Sequence, residues 1–483
     1  MYNLRNIDSS NNKIRFHMIG IGGIGMSGIA EILNNLGYQV QGSDIAKSDN
    51  TERLSKLGIK IFIGHHPNNI DSADYVVVST AIKSTNEEYQ EALKLKLPII
   101  NRGEMLAEIM RLKKCISISG SHGKTTTTSM VASVLESAGL APTVINGGII
   151  NTKSTNAYIG EGEFLVAEAD ESDATFIRLP STIAIITNID PEHLDYYKTF
   201  ENLYEAFKIF VKNLPFYGFA VICADHPVTS KLINDLVERK IITYGIKNED
   251  VNIRAYNIKM DLSGSKFDVK VKLPHNNISY IIENVTLSIP GEHNVLNSLA
   301  AIAVGAELDF GAVSINQGLR AFKGVKRRFS IVANLYNILF VDDYAHHPAE
   351  IRATLATAKI SLKSKDSKII TIFQPHKYSR LFDLFAEFTE SFDNADHIII
   401  TPLYAAGETK IEDYDSDKLS NSLREKYKNK TVDLIESKDE IPAIVGKYAK
   451  EGDLVLFMGA GNISKWANEF PEYVTKQNFT NIN

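Results

Sequence analysis

The sequence predicts an α/β protein of three consecutive segments, each a mostly parallel sheet built from alternating strands and helices. Three observations predict it. Short apolar runs recur between stretches of helical periodicity throughout the chain. Glycine-rich turns join a strand to a helix in each of the first two segments. The polar clusters follow strand ends, which puts them on the edge where doubly wound sheets bind ligands.

Bulk properties fit this organisation. A chain of 483 residues suggests about three domains of roughly 150 residues each, and 44% apolar residues suffice for a core in each. The net charge of -6, with no block of lysine or arginine, gives no reason to expect nucleic acid or an anionic membrane as a partner. Cys115 and Cys223 both lie in apolar runs, as buried reduced thiols of a cytosolic protein would. No apolar run reaches the roughly 18 residues of a membrane span. The polar start Asn3 to Asn12 lacks the layout of a signal peptide, so the chain is expected in the cytoplasm.

The first segment, residues 1–112, opens with a strand over Ile14 to Gly20. The run Gly20-Ile21-Gly22-Gly23-Ile24-Gly25-Met26-Ser27-Gly28 then starts a helix reaching Gly37, and a second strand ends at Asp44. This is the layout of a nucleotide-binding βαβ unit. Gly20 and Gly22 would permit the turn and a close approach of backbone to a diphosphate, Gly25 would allow helix packing, and Asp44 stands where a ribose contact is expected. The glycine pattern alone does not choose the ligand. Strands at Tyr75 to Ser79 and Pro98 to Asn101 follow, the first leading into Ser79-Thr80-Ala81.

The second segment, residues 113–324, begins with Cys115-Ile-Ser-Ile-Ser-Gly120-Ser121-His122-Gly123-Lys124-Thr125-Thr126. A strand running into glycines, one lysine and a row of hydroxyls is a phosphate loop opening a helix, with Thr125 or Thr126 able to ligate magnesium. Only two residues separate Gly120 from Gly123, so the loop is shorter than the common form. Two more strands end in oxygen-rich clusters, Glu168-Ala-Asp170-Glu171-Ser172-Asp173 and Asn188-Ile-Asp190-Pro-Glu192-His193-Leu-Asp195. Hard ligands beside a phosphate loop suit a magnesium nucleotide site, and solvated loop charges are the plain alternative. Asn294 and Asn297, three apart at a helix start, could read a base or cap the helix.

The third segment, residues 325–483, follows an alanine-rich helix over Leu296 to Leu308. Its strands at Asn337 to Val341 and Ile369 to Phe373 run into Asp342-Asp343-Tyr344-Ala345-His346-His347 and Gln374-Pro-His376-Lys377-Tyr378-Ser379-Arg380. Apolar runs at His397 to Thr401 and Leu454 to Met458 complete the alternation.

Taken together, GIGGIGMSGIA, GSHGKTTTT, EADESD, TNIDPEHLDYY, GEHNVLNSLAA, GVKRRF, DDYAHHPAEI, QPHKYSR and GAGNI resemble the motif set of the Mur ligases, ATP-dependent peptide-forming enzymes of bacterial cell-wall precursor synthesis. They cover essentially the whole chain. The resemblance implies a Rossmann-like N-terminal domain for a UDP-sugar, a central P-loop ATPase-like domain with a mostly parallel sheet, and a Rossmann-like C-terminal domain for the amino acid. GIGGIGMSGIA and DDYAHHP look like the member that joins L-alanine to UDP-N-acetylmuramate. The implied cofactors are ATP and Mg2+ and the implied partners those two substrates, in a cytoplasmic monomer or weak homodimer.

Carried over by position, the resemblance assigns ATP to Gly120, Ser121, His122, Gly123, Lys124, Thr125, Thr126, Asn294, Asn297, Arg328 and Asp343. It assigns metal to Thr125, Glu168 and His193, and catalysis to Lys124, Glu168, His193, Arg328, Asp343 and His346. The sugar nucleotide falls to Gly22, Gly23, Ile24, Gly25, Asp44, Ser79, Thr80, Arg102 and His122, and the amino-acid side to Tyr344, His346, Lys377 and Arg380. Lys377 stands where arginine is frequent, so a bidentate grip on a carboxylate would fall to Arg380. Phe207 occupies the slot where sister ligases carry a carbamylated lysine, so none is expected.

The chemistry also follows from the residues. A carboxylate becomes an amide only after activation, and a phosphate loop with magnesium suggests transfer of a phosphoryl group to it as an acyl phosphate. His193, His346 and His347 are candidates for helping the amine lose its proton. A sister ligase that attaches a whole tripeptide shares most motifs, although its first loop usually lacks GGIGMSG. An NAD-dependent dehydrogenase would explain the first glycine loop but has no use for Lys124, and an ATP-driven switch without bond formation is the third reading.

Overall fold

The computed structural model describes residues 14–79, 81–273 and 278–476, with Thr80 and the amino-terminal stretch Asn3 to Asn12 outside them. The first sheet holds β1 (Arg15–Ile19), β2 (Gln39–Asp44), β3 (Lys60–Ile63), β4 (Tyr75–Val78) and β5 (Ile99–Asn101). Its order is β3-β2-β1-β4-β5 with parallel pairing throughout, the order of a doubly wound nucleotide-binding fold.

The second sheet is built from β6 (Lys114–Ser119), β7 (Thr143–Ile150), β8 (Thr155–Tyr158), β9 (Phe164–Glu168), β10 (Ile183–Ile186), β11 (Phe219–Cys223), β12 (Ile241–Gly245), β13 (Ile253–Asp261), β14 (Gly264–Leu273) and β15 (Ile278–Leu287). The order β15-β14-β13-β12-β11-β10-β6-β9-β7-β8 places the phosphate-loop strand β6 between β10 and β9, both parallel to it. The polar clusters after β9 and β10 therefore flank the loop, because parallel strands release their chains on one edge. The last strand, β8, runs antiparallel to its partner β7.

The third sheet holds β16 (Ser330–Leu335), β17 (Ile338–Asp343), β18 (Ile369–Phe373), β19 (His397–Ile400), β20 (Thr431–Leu434) and β21 (Leu454–Met458), in the order β16-β17-β21-β18-β19-β20. β16 is antiparallel to β17 and the remaining pairs are parallel. Side-chain alternation feeds two cores: Val341, Phe373 and Leu456 face one, Phe340, Ile372 and Phe457 the other.

The chain divides into two compact units. One comprises Met1–Ile258, Lys266–Leu287 and Leu296–Lys323, the other Lys259–Ser265, Ser288–Val295 and the residues from Gly324 onward. The boundary expected at residues 112 and 113 falls between the first two sheets, which lie largely in the same unit. A single apolar cluster runs through that unit from Phe16 and Leu33 to Phe207 and Leu236. Phe207 is fully buried with its ring 5.2 Å from that of Phe176. Such a side chain contributes about 1.5–3 kcal/mol by leaving water. Cys115 and Cys223 are free and buried, and burial pushes their thiols up to about 12 and about 11. Among the described residues no helix is long and apolar enough to cross a membrane.

Candidate active site

In the larger unit, β6 ends at Ser119 and the helix Lys124–Ser137 begins after Gly123, whose φ of +84° an L side chain rarely adopts. A Cβ on Gly123 would also stand 2.6 Å from Oδ1 of Asn297, so the loop and the helix Glu292–Glu307 meet backbone against side chain. The loop is laced to the segment after β10. The Ser121 amide donates to the Asn188 carbonyl at 3.2 Å, the His122 amide to Asn188 Oδ1 at 2.8 Å, and Thr187 Oγ1 to the His122 carbonyl at 2.6 Å. Two of the amides expected to point at an anion are thus engaged by Asn188, and the His122 ring lies 3.1 Å from Asp190.

Lys124 sits over this loop, donating to the Gly120 carbonyl at 2.6 Å and to Glu171 Oε1 at 2.8 Å. Burial works against its charge, but the carboxylates of Glu171, Glu168 and Asp170 outweigh it and raise its pKa. Burial pushes the Glu171 carboxyl up, with Lys124 pulling it back. Thr125 donates its hydroxyl to Glu168 Oε2 at 2.9 Å, and the Gly147 amide donates to the same oxygen at 2.9 Å. Thr126 is buried.

Ligand atoms of Glu171, Glu192 and His193 all lie within 4.8 Å of one another. Glu171 Oε2 is buried without a hydrogen-bond partner among the described residues. An orphaned carboxylate oxygen next to further oxygen donors fits a hard divalent cation such as Mg2+. The structure groups the expected metal residues in two, Thr125 with Glu168 and His193 with Glu171 and Glu192. Glu171 and Glu192 had been seen only as members of acidic runs, and the signal available was their place directly after β9 and β10.

At the amino-terminal glycine loop, the Gly22 amide donates to Asp44 Oδ2 at 2.8 Å, and a Cβ on Gly22 would collide with that oxygen and with Thr51. Gly22 is therefore required by the approach of Asp44, which holds the loop through its carboxylate. Gly23 is the N-cap of the helix Ile24–Asn35, and the Ile24 carbonyl accepts from Asn156 at 2.6 Å. Gly25 faces the side chain of Arg102, the first residue of the helix Arg102–Met110, with its Cβ position 3.3 Å from the guanidinium. Arg102 in turn donates to Asp170 at 3.3 Å, linking this loop to the acidic segment after β9. Ser79 accepts from the Ala81 amide.

The carboxyl-terminal unit gathers a separate set. Asp343 is buried, accepting from the Phe329 and Ala345 amides at 2.7 Å each and from Thr354 at 3.1 Å, and burial pushes it up to about 6. Its carboxylate thus fixes the chain on either side of the end of β17. Glu350 takes the bridging position: Arg328 donates to it at 3.5 Å, and the His346 ring lies 3.2 Å from it. Arg327 and Arg328 both lie over the Tyr344 ring, at 4.6 and 5.3 Å. Asn294 donates to the Pro290 carbonyl at 2.7 Å, which favours the helix-start role over base reading for its amino group.

Lys377 points to Glu408 at 3.7 Å, and Glu408 also accepts from the Ser379 amide and hydroxyl. Arg380 donates to His376 Nδ1 at 3.2 Å, and the His376 ring is stacked on Tyr404. Burial and the charges of Arg380, His346 and Lys377 push His376 down to about 3, so it is neutral at pH 7. His376 was not among the residues expected to act here.

Comparison with known proteins agrees over the whole length. The Mur ligase family, catalytic domain, matches residues 15–114, the Mur ligase middle domain residues 118–305, and the Mur ligase, glutamate ligase domain residues 327–461. The chain is 58% identical over 457 residues to the UDP-N-acetylmuramate--L-alanine ligase of Rickettsia bellii, covering 94% of this chain and 95% of that protein. It is 59% identical over 453 residues to that of Rickettsia felis, with coverages of 94% and 95%. The crystal structure of UDP-N-acetylmuramate-alanine ligase from Thermotoga maritima is similar at a TM-score of 0.81 and 31% identity, covering 96% of this chain and all of that one (100%).

Proposed function

The chain belongs to the Mur ligase family, and from that premise we propose that it joins L-alanine to the lactyl carboxylate of UDP-N-acetylmuramate, converting ATP to ADP and phosphate, in peptidoglycan precursor synthesis. A carboxylate oxygen of the sugar nucleotide attacks the γ-phosphorus, ADP leaves, and an acyl phosphate forms. The neutral amine of alanine then attacks the acyl carbon and phosphate departs.

The observation that carries this reading is the convergence of Lys124, Thr125, Glu168, Glu171 and His193 at the end of β6. Lys124 would place positive charge on the β and γ phosphates as charge shifts to ADP, catalysis by preorganised electrostatics. Thr125 and Glu168, with Glu171, Glu192 and His193, would hold Mg2+, which when bound neutralises phosphate charge. The glycine loop from Gly22 to Gly25, with Asp44 and Arg102, would bind the UDP part. In the carboxyl-terminal unit, Arg328 would face phosphate, and His346 and Arg380 would hold alanine, Arg380 by its carboxylate.

A coupled ADP-release assay over a panel of amino acids, with UDP-N-acetylmuramate present, tests the reading. The expected result is release dependent on both the sugar nucleotide and L-alanine, and a product mass equal to the two joined with loss of water. Release with a tripeptide and not with alanine would replace it by the recycling reaction. Binding of NAD with no binding of UDP-N-acetylmuramate would overturn the ligase assignment.

A further inference from the structure

We infer that His226 is a positioning residue of the nucleotide site, holding the phosphate loop through Asp190 and His122. The inference rests on reading residues 120–126 as the ATP site. Asp190 follows β10, and His226 follows β11, the parallel neighbour of β10, so sheet order brings them to one edge. Each oxygen of the Asp190 carboxylate serves one ring: Oδ2 lies 3.1 Å from His122 Nε2 and Oδ1 3.2 Å from His226 Nε2.

The arrangement is directional. His226 is the N-cap of the helix Pro227–Asn234, a place where a polar side chain commonly caps, yet its ring makes no capping bond and turns to Asp190. Its backbone is fixed, since the His226 carbonyl accepts from the Ser230 amide at 2.9 Å and from Thr229 at 3.1 Å. Asp190 is also tied to the loop by its main chain, its amide donating to Ser121 Oγ at 2.8 Å. His226 is thus the outer, rigid end of a relay whose inner end, His122, lies two residues before Lys124. A carboxylate oxygen can only accept, so the His226 ring donates to Asp190 from Nε2, and the second oxygen of the same carboxylate faces the His122 ring.

The full-length protein tests this, with Mg2+ and adenylyl imidodiphosphate as the calorimetric probe and steady-state kinetics alongside. His226→Ala should melt as the wild type does, bind the probe roughly 10-fold more weakly and lose kcat/KM for ATP by a similar factor, as loosened positioning does. KM for L-alanine should stay within about twofold. His226→Gln, whose Nε2 can still donate to Asp190, should recover most of the loss. The double variant His226→Ala, Asp190→Asn should be no worse than Asp190→Asn alone, since both act along one relay.

Unchanged probe affinity in His226→Ala, a Gln variant as weak as the Ala variant, or an equal rise in every KM would each overturn the assignment. Should His226→Ala not fold, Gln against the shorter Asn at 226 carries the same comparison, with only Gln expected to bind like wild type. A wild type that binds the probe but releases no ADP with both substrates would sink the proposed reaction, while the calorimetric comparison would still decide the role of His226.

Discussion

Lys124 Nζ lies 2.8 Å from Glu171 Oε1, with the acid buried and the lysine mostly so. A cation and an acid from strand ends 47 residues apart thus meet at the phosphate loop. Taking either partner away leaves a charge in a place built for two. Lys124→Ala is expected to lower turnover by at least ~100-fold, the scale of losing a preorganised charge at a transferring group. A thermal melt should show the variant folded. A folded variant with near wild-type ADP release would remove the loop from the mechanism.

Glu168 holds Thr125 and the Gly147 amide on one oxygen, a hard-ligand arrangement beside the loop. Glu168→Gln keeps the shape and removes the charge. The Mg2+ concentration for half-maximal rate should rise roughly 10-fold or more, the usual scale for disturbing a metal's surroundings. A magnesium titration of ADP release checks this, and an unshifted midpoint would place the metal elsewhere.

Arg380 is tethered to a neutral His376, whereas Lys377 is drawn to Glu408. The alanine carboxylate is therefore expected to rely on Arg380. Truncating a charged hydrogen bond of this kind costs about 2 to 5 kcal/mol, so Arg380→Ala should raise KM for alanine roughly 30-fold or more. The acyl phosphate should still form without alanine and be trapped by hydroxylamine. Loss of trapping with unaltered alanine affinity would move Arg380 to the phosphate chemistry.

Glu88 is a buried acid in the first sheet's surroundings, accepting from His17 at 3.2 Å, Ser43 at 2.5 Å and Asn69 at 2.6 Å. Burial alone would raise it, but these hydrogen bonds win and pull it down to about 2. A depressed acid stabilises the fold above its unfolded value near 4.5, and the contribution is lost as pH falls toward 2. Glu88→Gln should be less stable than wild type at pH 7, with the gap closing as the pH falls through that window. Denaturant midpoints of both proteins across pH 7 to 3 would show it, and a gap independent of pH would refute it.

The fold class was legible from the chain because strand and helix periodicities are local properties. The strands expected at Tyr75 to Ser79, Ile369 to Phe373 and Leu454 to Met458 are found at Tyr75–Val78, Ile369–Phe373 and Leu454–Met458. The strands β13, β14 and β15 went unassigned in the sequence, since their alternation of buried and exposed residues mixes lysine and asparagine with the apolar positions. Lys124 and its glycines were legible for the same local reason: a phosphate loop is one continuous stretch.

What the chain alone determined, then, are the contiguous motifs: the two glycine loops, Lys124 with its hydroxyls, and the order of acids after each strand. Only the tertiary structure decided which acid meets which base. The parallel order β11-β10-β6-β9 brings Glu171 to Lys124 and Asp190 to both His122 and His226, and in the first sheet the parallel pairing of β1 with β2 brings Asp44 onto Gly22. The end of β17 gives Asp343 to its own backbone. Such pairings depend on register and strand order, which are set by long-range burial of apolar faces and leave no mark on the local spacing of the residues they join.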